Sequence, residues 1–341
     1  VMVLLGGAAG VALATYRAKS VGLNPELIWS LAVWLFIGGI VGARLFYVIE
    51  YWDERFRTDS LLRTLALVLN FPEGGLVVYG ALFGGLAAVV AFARRHAMPV
   101  LATFDLLAPS FAVGLALGRI GCLLNGCCYG GPSELPWAVT FPRESLPYRD
   151  QVESGQLYGF QLMSDAVTRE PRTAKVASAT EASRAGLNTG DAIHAINGAP
   201  TVTLDAAIDA IRQAFAFQQP LALTLADGRT VNLPALSPPA RSLPVHPAQV
   251  YSAITAGLIG WFLWAYYPFR RRDGEVFALL LTIYPVSRFL EEIIRTDEPA
   301  VFGTGLSISQ NISLGIAVVV FGLWLYILRQ PRGVAWPAES T

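Results

Sequence analysis

Residues 248–267 read AQVYSAITAGLIGWFLWAYY, and the chain runs from Thr304 to Leu328 without a single charged side chain. A helix needs about 20 mostly apolar residues to cross the hydrocarbon core of a bilayer. These two runs therefore read as membrane spans, and they dictate what the rest of the chain can be. Only 15% of the 341 residues are charged, against roughly 25% in ordinary soluble domains. Mean hydropathy is +0.48. The 25 basic and 25 acidic residues cancel, so nothing in the charge balance points to nucleic acid as a partner. The three cysteines, Cys122, Cys127 and Cys128, fall within one window and do not form the framework of a small secreted domain.

Seven segments are long enough to be expected as spans: roughly 1–16, 27–50, 76–94, 101–121, 247–267, 274–293 and 304–328. The second, fourth and sixth carry internal charges, namely Arg44, Asp105, Arg119, Arg288, Glu291 and Glu292. Charges are costly in lipid, so these are expected to face a cavity or an interface. With the N-terminus outside, the inner segments hold Arg17, Lys19, Arg94, Arg95, Arg270, Arg271, Arg272, Arg329 and Arg332. The outer segment 51–75 holds only Arg55, Arg57 and Arg63. Basic residues concentrate on the cytoplasmic side, which favours an outer N-terminus and an inner C-terminus. The long segment 131–245 then lies outside.

That segment changes character. Alternating apolar residues are broken by Gly-Asp and Asn-Gly turns, with a helical pattern at 204–215. Ala185-Gly186-Leu187, Gly190-Asp191-Ala192-Ile193 and Ile196-Asn197-Gly198 resemble the signature of a bacterial PDZ domain over 155–236. LYGFQL at 157–162 resembles the carboxylate-binding loop of such domains. Such a module implies an extended peptide as partner, added as a strand to a sheet edge; a spacer without a ligand is the plainer alternative.

The polar groups of the spans suggest a lipid site. Arg119 lies between Gly118 and Gly121, and Gly114 with Gly118 forms a small-xxx-small pair that admits a helix or a headgroup closely. Tyr284, Arg288 and Glu292 recur at four-residue spacing, hence on one helix face. Two arginines at similar depth point to an anion, and arginine binds phosphate bidentately. The bland alternative is a structural Arg288–Glu292 pair with Arg119 capping a helix. Tyr79-Gly80 and Gly84-Gly85 are expected to open a groove, with Arg44 adding charge to the cavity or pairing with Glu50. His246 heads HPAQVY at the mouth of a span, where Pro247 favours a helix start.

Together GLVVYGALFGG (75–85), APSFAVGLALGRIGCLLNGCCYG (108–130), HPAQVY (246–251) and YPVSRFLEEIIR (284–295) resemble the prolipoprotein diacylglyceryl transferase family. The resemblance implies an α-helical polytopic membrane protein of about seven spans with an inserted soluble α+β PDZ-like domain. The membrane part is expected over 1–135 and 240–330, the PDZ-like domain over 155–236 and a cytoplasmic tail over 331–341. It further implies a transferase of the bacterial inner membrane that moves a diacylglyceryl group from phosphatidylglycerol to the lipobox cysteine of a prolipoprotein signal peptide. The family's two essential arginines fall on Arg119 and Arg288, and its motif Tyr, Glu, Asn and Gly fall on Tyr284, Glu292, Asn125 and Gly130. Arg119, Arg288, Asn125, Gly130, Tyr284 and Arg44 are thus expected at the headgroup, and Arg119, Arg288, Glu292, Tyr79 and His246 in catalysis. Neither metal nor cofactor is expected, because three adjacent sulfurs lack a fourth ligand of suitable spacing.

Three positions depart from the family. Tyr79 stands for a histidine, Cys122 for an asparagine and Cys127 for a glutamate, which removes two candidate bases. The cysteines read as small polarisable filler, as an oxidised pair of Cys122 with Cys127 or Cys128, or as a lipid carrier. Two other functions stay open: a non-catalytic lipid- or lipoprotein-binding scaffold, and a transferase with a different acceptor. An intramembrane zinc protease is disfavoured, since the sequence has no HExxH.

Overall fold

The computed structural model describes residues 1–58, 60–70, 74–165, 168–295, 301 and 303–337. The last four residues of the expected tail lie outside that set. The helices are α1 (Met2–Ser20), α2 (Pro25–Glu50), α3 (Leu61–Leu69), α4 (Val78–Arg95), α5 (Val100–Asn125), α6 (Leu146–Glu153), α7 (Glu181–Arg184), α8 (Leu204–Ala216), α9 (Ala248–Tyr266), α10 (Glu275–Glu292) and α11 (Ile308–Arg329). The strands are β1 (Phe160–Ser164), β2 (Pro171–Val176), β3 (Ile193–Ile196), β4 (Ala199–Pro200), β5 (Leu221–Leu225) and β6 (Thr230–Leu233). The chain divides into a helical unit (Val1–Gly121, Val250–Ile293 and Glu298–Thr341) and a second unit (Cys122–Gln249 with Ile294–Asp297).

Among the described residues, five helical stretches are long and apolar enough to cross a membrane: Pro25–Glu50, Val78–Arg95, Val100–Asn125, Ala248–Phe269 and Ile308–Arg329. This is a mostly helical, multi-pass membrane protein. The other two expected spans are helices as well, α1 and α10, but they fall short of that apolarity. Helix α1 ends in Arg17 and Lys19, and the 18 residues of α10 hold Glu275, Arg288, Glu291 and Glu292. Large apolar side chains are exposed on the spans, Phe36, Trp261 and Phe321 among them. Asp105, by contrast, is completely buried. Apolar outside and polar within is the pattern that lipid as solvent dictates.

Helices α2 and α4 cross through glycine. A Cβ on Gly42 would lie 2.3 Å from the carbonyl oxygen of Gly80, and one on Gly84 would lie 2.1 Å from that of Gly38. Gly38, Gly42, Gly80 and Gly84 are therefore backbone-to-backbone contacts of the small-xxx-small kind. The groove expected at Gly80 and Gly84 is filled by α2. Helix α1 approaches α5 in the same way, since a Cβ on Gly6 would lie 2.9 Å from Gly114 O.

The Asp105 carboxylate accepts the backbone N–H groups of Gly274 (2.7 Å) and Phe277 (2.9 Å), so it satisfies two of the orphan donors that open α10. Tyr267 joins the basic segments expected inside. The guanidinium of Arg17 lies 4.0 Å from its ring centre and that of Arg270 lies 3.6 Å from it. Arg270 also donates to Trp336 O at 2.6 Å.

In the second unit, β1 and β2 pair antiparallel, and β4-β3-β5-β6 form a four-stranded antiparallel sheet. Tyr158, Phe160, Leu162, Ile193, Ile196, Ile211, Leu221 and Leu223 are buried in one core. The alternation read from the sequence is visible in β5, where Leu221, Leu223 and Leu225 point inward. Helix α8 covers the expected 204–215 and is capped by Thr203, whose hydroxyl accepts the N–H of Ala206. In the turn between β5 and β6 the N–H and guanidinium of Arg229 hold the Asp227 carboxyl below the usual carboxylate range.

The segment LYGFQL does not present an open row of donors. Tyr158 N–H goes to Gly155 O, Gly159 N–H to Gln156 O, Phe160 N–H to Gly155 O and Leu162 N–H to Ser154 O. Helix α6 leads into this segment and is tied to α8 by the Arg212–Glu153 ion pair at 2.9 Å and the Tyr148–Phe215 ring contact. The chain's own residues 154–155 thus occupy the edge of β1.

Candidate functional site

The helical unit holds the anion-binding candidates. Arg288, on the last turns of α10, forms an ion pair with Glu292 one turn on. Its Nη2 donates to Ser309 Oγ of α11 at 2.9 Å. Glu292 is buried. Ser309 lies in the first turn of α11, which a capping box between Ser307 and Gln310 fixes in place. Tyr284 lies one turn before Arg288 and is half-buried. The next carboxylate, Glu291, accepts a hydrogen bond from Ser252 of α9. Sequence reasoning missed Ser309 and Ser252. The Ser-x-x-Gln signature at 307–310 marked the start of α11, and with it the turn that supplies Ser309.

Arg119 is half-buried near the C-terminal end of α5. A Cβ on neighbouring Gly118 would meet no atom within 4 Å, so that face of the helix is open beside the arginine. Gly121 is closed by Met2, whose Cβ would be 2.9 Å from an added Cβ. Tyr79 is in the first turn of α4 and is 40% exposed.

Arg44 has another task. Its Nε donates to Val68 O (2.9 Å), its Nη1 to Gly74 O (2.7 Å) and Gly75 O (3.2 Å), and its Nη2 to Leu67 O (2.6 Å) and Asn70 O (2.9 Å). A guanidinium has five N–H donors, and all five end on backbone carbonyls. Arg44 therefore ties α2 to the end of α3 and to Asn70, Gly74 and Gly75.

The second unit holds Asn125, Gly130, His246 and the cysteines. Asn125 is exposed at the end of α5. Gly130 N–H donates to His246 O at 2.9 Å, His246 N–H to Gly131 O at 3.0 Å and Gly131 N–H to Ile294 O at 2.9 Å. A Cβ on Gly130 would lie 2.7 Å from His246 Cβ, so glycine there lets His246 come this close. The sulfurs of Cys122, Cys127 and Cys128 all lie within 4.8 Å of one another, and all three are thiols.

Comparison with known proteins bears on the whole chain. A family model described as "Prolipoprotein diacylglyceryl transferase" matches residues 1–328. A Rhodopirellula baltica protein named phosphatidylglycerol–prolipoprotein diacylglyceryl transferase is 33% identical over 377 residues, covering 99% of this chain and 73% of that relative. A Clostridium tetani protein of the same name is 27% identical over 325 residues, 95% of this chain and 90% of its own length. The match to a Synechococcus elongatus protein of that name is 37% identical but covers 40% of this chain and 46% of the relative.

Proposed function

The chain belongs to the prolipoprotein diacylglyceryl transferase family, and from that premise we propose how its residues carry out the transfer. It is a transferase that moves a diacylglyceryl group from phosphatidylglycerol to a prolipoprotein. The acceptor cysteine loses its proton, and its sulfur attacks the glycerol carbon that bears the phosphate ester. The C–S bond forms as the C–O bond breaks, and the electron pair stays with glycerol phosphate as it leaves. Charge therefore builds on phosphate oxygens, and the step needs fixed cations there.

Arg119 and Arg288 supply those cations. Glu292 and Ser309 orient Arg288. Tyr284, Asn125 and Gly130 complete the headgroup surroundings, Gly130 by seating His246. Tyr79 and His246 are the acid/base helpers. The observation that carries this reading is Arg288 itself: a largely covered arginine near the end of α10, aimed by a buried carboxylate and a hydroxyl of the next helix. The test is transfer by purified protein from labelled phosphatidylglycerol to a lipobox peptide. Arg119→Lys and Arg288→Lys are expected to lose it, whereas full activity of either variant overturns the clamp. Failure of the wild-type chain to support lipoprotein maturation in a transferase-depleted host, despite correct insertion, favours the scaffold reading.

The distribution of basic residues supports an inner-membrane topology with the N-terminus and the second unit outside and the C-terminus inside, α1 and α10 completing seven spans. The signature at 185–198 and the strand order support a PDZ-like module over 155–236. An extended peptide reaches its β1 edge only by displacing residues 154–155.

A further inference from the structure

The cysteine cluster is built by the end of α5. Gly126 takes a left-handed φ of +73°. Its N–H bonds Leu123 O at 3.2 Å, and Cys127 N–H bonds Cys122 O at 3.1 Å. These are the two hydrogen bonds of a Schellman motif, which brings the side chain just after the stop against the one a turn before it. Here those two residues are Cys127 and Cys122. Cys128 then adopts a φ of +59°, a conformation that non-glycine residues adopt only rarely, and its sulfur joins the other two. The loop is anchored on both sides. Buried Gln249 donates to Cys127 O at 2.7 Å, and Gly130 and Gly131 are stitched to His246 and Ile294. The Oε1 of Gln249 is a buried acceptor without a hydrogen-bond partner among the described residues, which suits a polar surrounding.

Three thiols held together by backbone are a soft ligand set. A zinc–sulfur bond of about 2.3 Å at tetrahedral angles sets sulfurs about 3.8 Å apart, within the 4.8 Å limit that all three satisfy. A structural zinc site closes with four protein ligands, whereas a catalytic one has three and keeps the fourth position for water or substrate. The missing fourth ligand, which on sequence alone argued against a metal, is what the second type requires. A thiol that coordinates such an ion loses its proton outright.

We propose that Cys122, Cys127 and Cys128 bind one thiophilic metal ion, zinc foremost, as a three-thiolate site whose fourth position takes the acceptor thiol as its thiolate. The S–H bond breaks, the proton passes to solvent, and the electron pair stays on sulfur. The site would thereby supply the thiolate that the transfer needs. Its fourth ligand rests on the transferase reading; the metal site itself does not.

The experiment uses the full chain in detergent, purified without a histidine tag. Metal analysis is expected to find about one zinc per chain, as a single mononuclear site requires, and to lose it in the Cys122→Ser/Cys127→Ser/Cys128→Ser variant. Equal zinc in both proteins, or none in the wild type, overturns the site. A second readout needs no variant: zinc is expected to slow maleimide labelling of all three cysteines relative to chelator-treated protein, and equal labelling overturns the site. An intact mass short of two hydrogens in the native protein would make the cluster a disulfide and likewise overturn it. In cobalt-substituted protein, a lipobox cysteine peptide is expected to intensify the sulfur-to-cobalt charge-transfer band while its serine counterpart does not. An unchanged spectrum refutes the open position. If the peptide binds cobalt but receives no diacylglyceryl group, the transferase reading fails and the metal site stands. Undiminished transfer by the triple-serine variant leaves the transferase reading standing and overturns the assignment of the acceptor thiol to the metal's fourth position.

Discussion

Two arginines of the same helical unit, Arg44 in the apolar span α2 and Arg288 in the more polar α10, are used in opposite ways. Arg44 of α2 spends its five N–H groups on the carbonyls of Leu67, Val68, Asn70, Gly74 and Gly75. Those acceptors belong to the backbone, so releasing them means unmaking local structure. Arg288 of α10 is held by a carboxylate and a hydroxyl, side-chain partners that a phosphate can replace or join. Burial does not separate the two, because both are largely covered. The kind of partner does. A cation in a membrane segment is a functional candidate by default, but it is one only if its donors answer to groups that can exchange.

The largest effect should come from the exchangeable arginine. Arg288→Lys keeps the charge and loses the planar fork, and is expected to lower transfer by about 100- to 1,000-fold, the scale for removing one donor to developing charge. Its thermal midpoint in detergent should stay near that of the wild type. A variant that melts early and retains its turnover per folded molecule would place Arg288 in Arg44's class. Arg44→Met should show the opposite pattern. It strands several part-buried carbonyls, each short of the about 1–3 kcal/mol of a fully buried one, so folded yield and melting temperature fall while the folded fraction keeps its turnover.

The contrast explains how much the sequence revealed. The spans were legible because lipid demands long apolar runs, and α2, α4, α5, α9 and α11 fall where the hydropathy put them. The Tyr284–Arg288–Glu292 face was legible from helical spacing alone. Arg44 was not, because its partners are carbonyls at and beyond the end of α3, more than twenty residues away, and a carbonyl carries no residue-type signal. The glycines of α2 and α4 were visible as a pattern but not as a filled crossing, since small-xxx-small spacing fits a groove and a helix contact equally well. The three sulfurs were visible as a string. Their meeting depends on the positive φ of Gly126 and Cys128, of which only the glycine is foreshadowed by residue type.

A smaller effect is expected at the α2–α4 crossing. Gly84→Ala places a Cβ 2.1 Å from Gly38 O, and overpacking of this kind costs about 1–3 kcal/mol. The helices should separate slightly, lowering the melting temperature with little change in turnover. If turnover falls as far as in Arg288→Lys, the crossing belongs to the site after all.

The smallest effect tests Tyr79. Its side chain is 40% exposed in the first turn of α4. Tyr79→Phe removes only the hydroxyl and keeps the ring packed. If Tyr79 shares acid/base work with His246, turnover should fall by no more than about tenfold, below the hundredfold or more of a sole general acid or base, and the alkaline limb of the pH–rate profile should move. An unchanged profile would take Tyr79 off the list and leave the incoming thiol to His246 or to the cysteine-bound metal. Repeating the measurement after metal removal separates these. If the metal supplies the thiolate, chelation should slow the wild type and Tyr79→Phe by the same factor. If Tyr79 compensates for a weak metal site, chelation should slow the variant more.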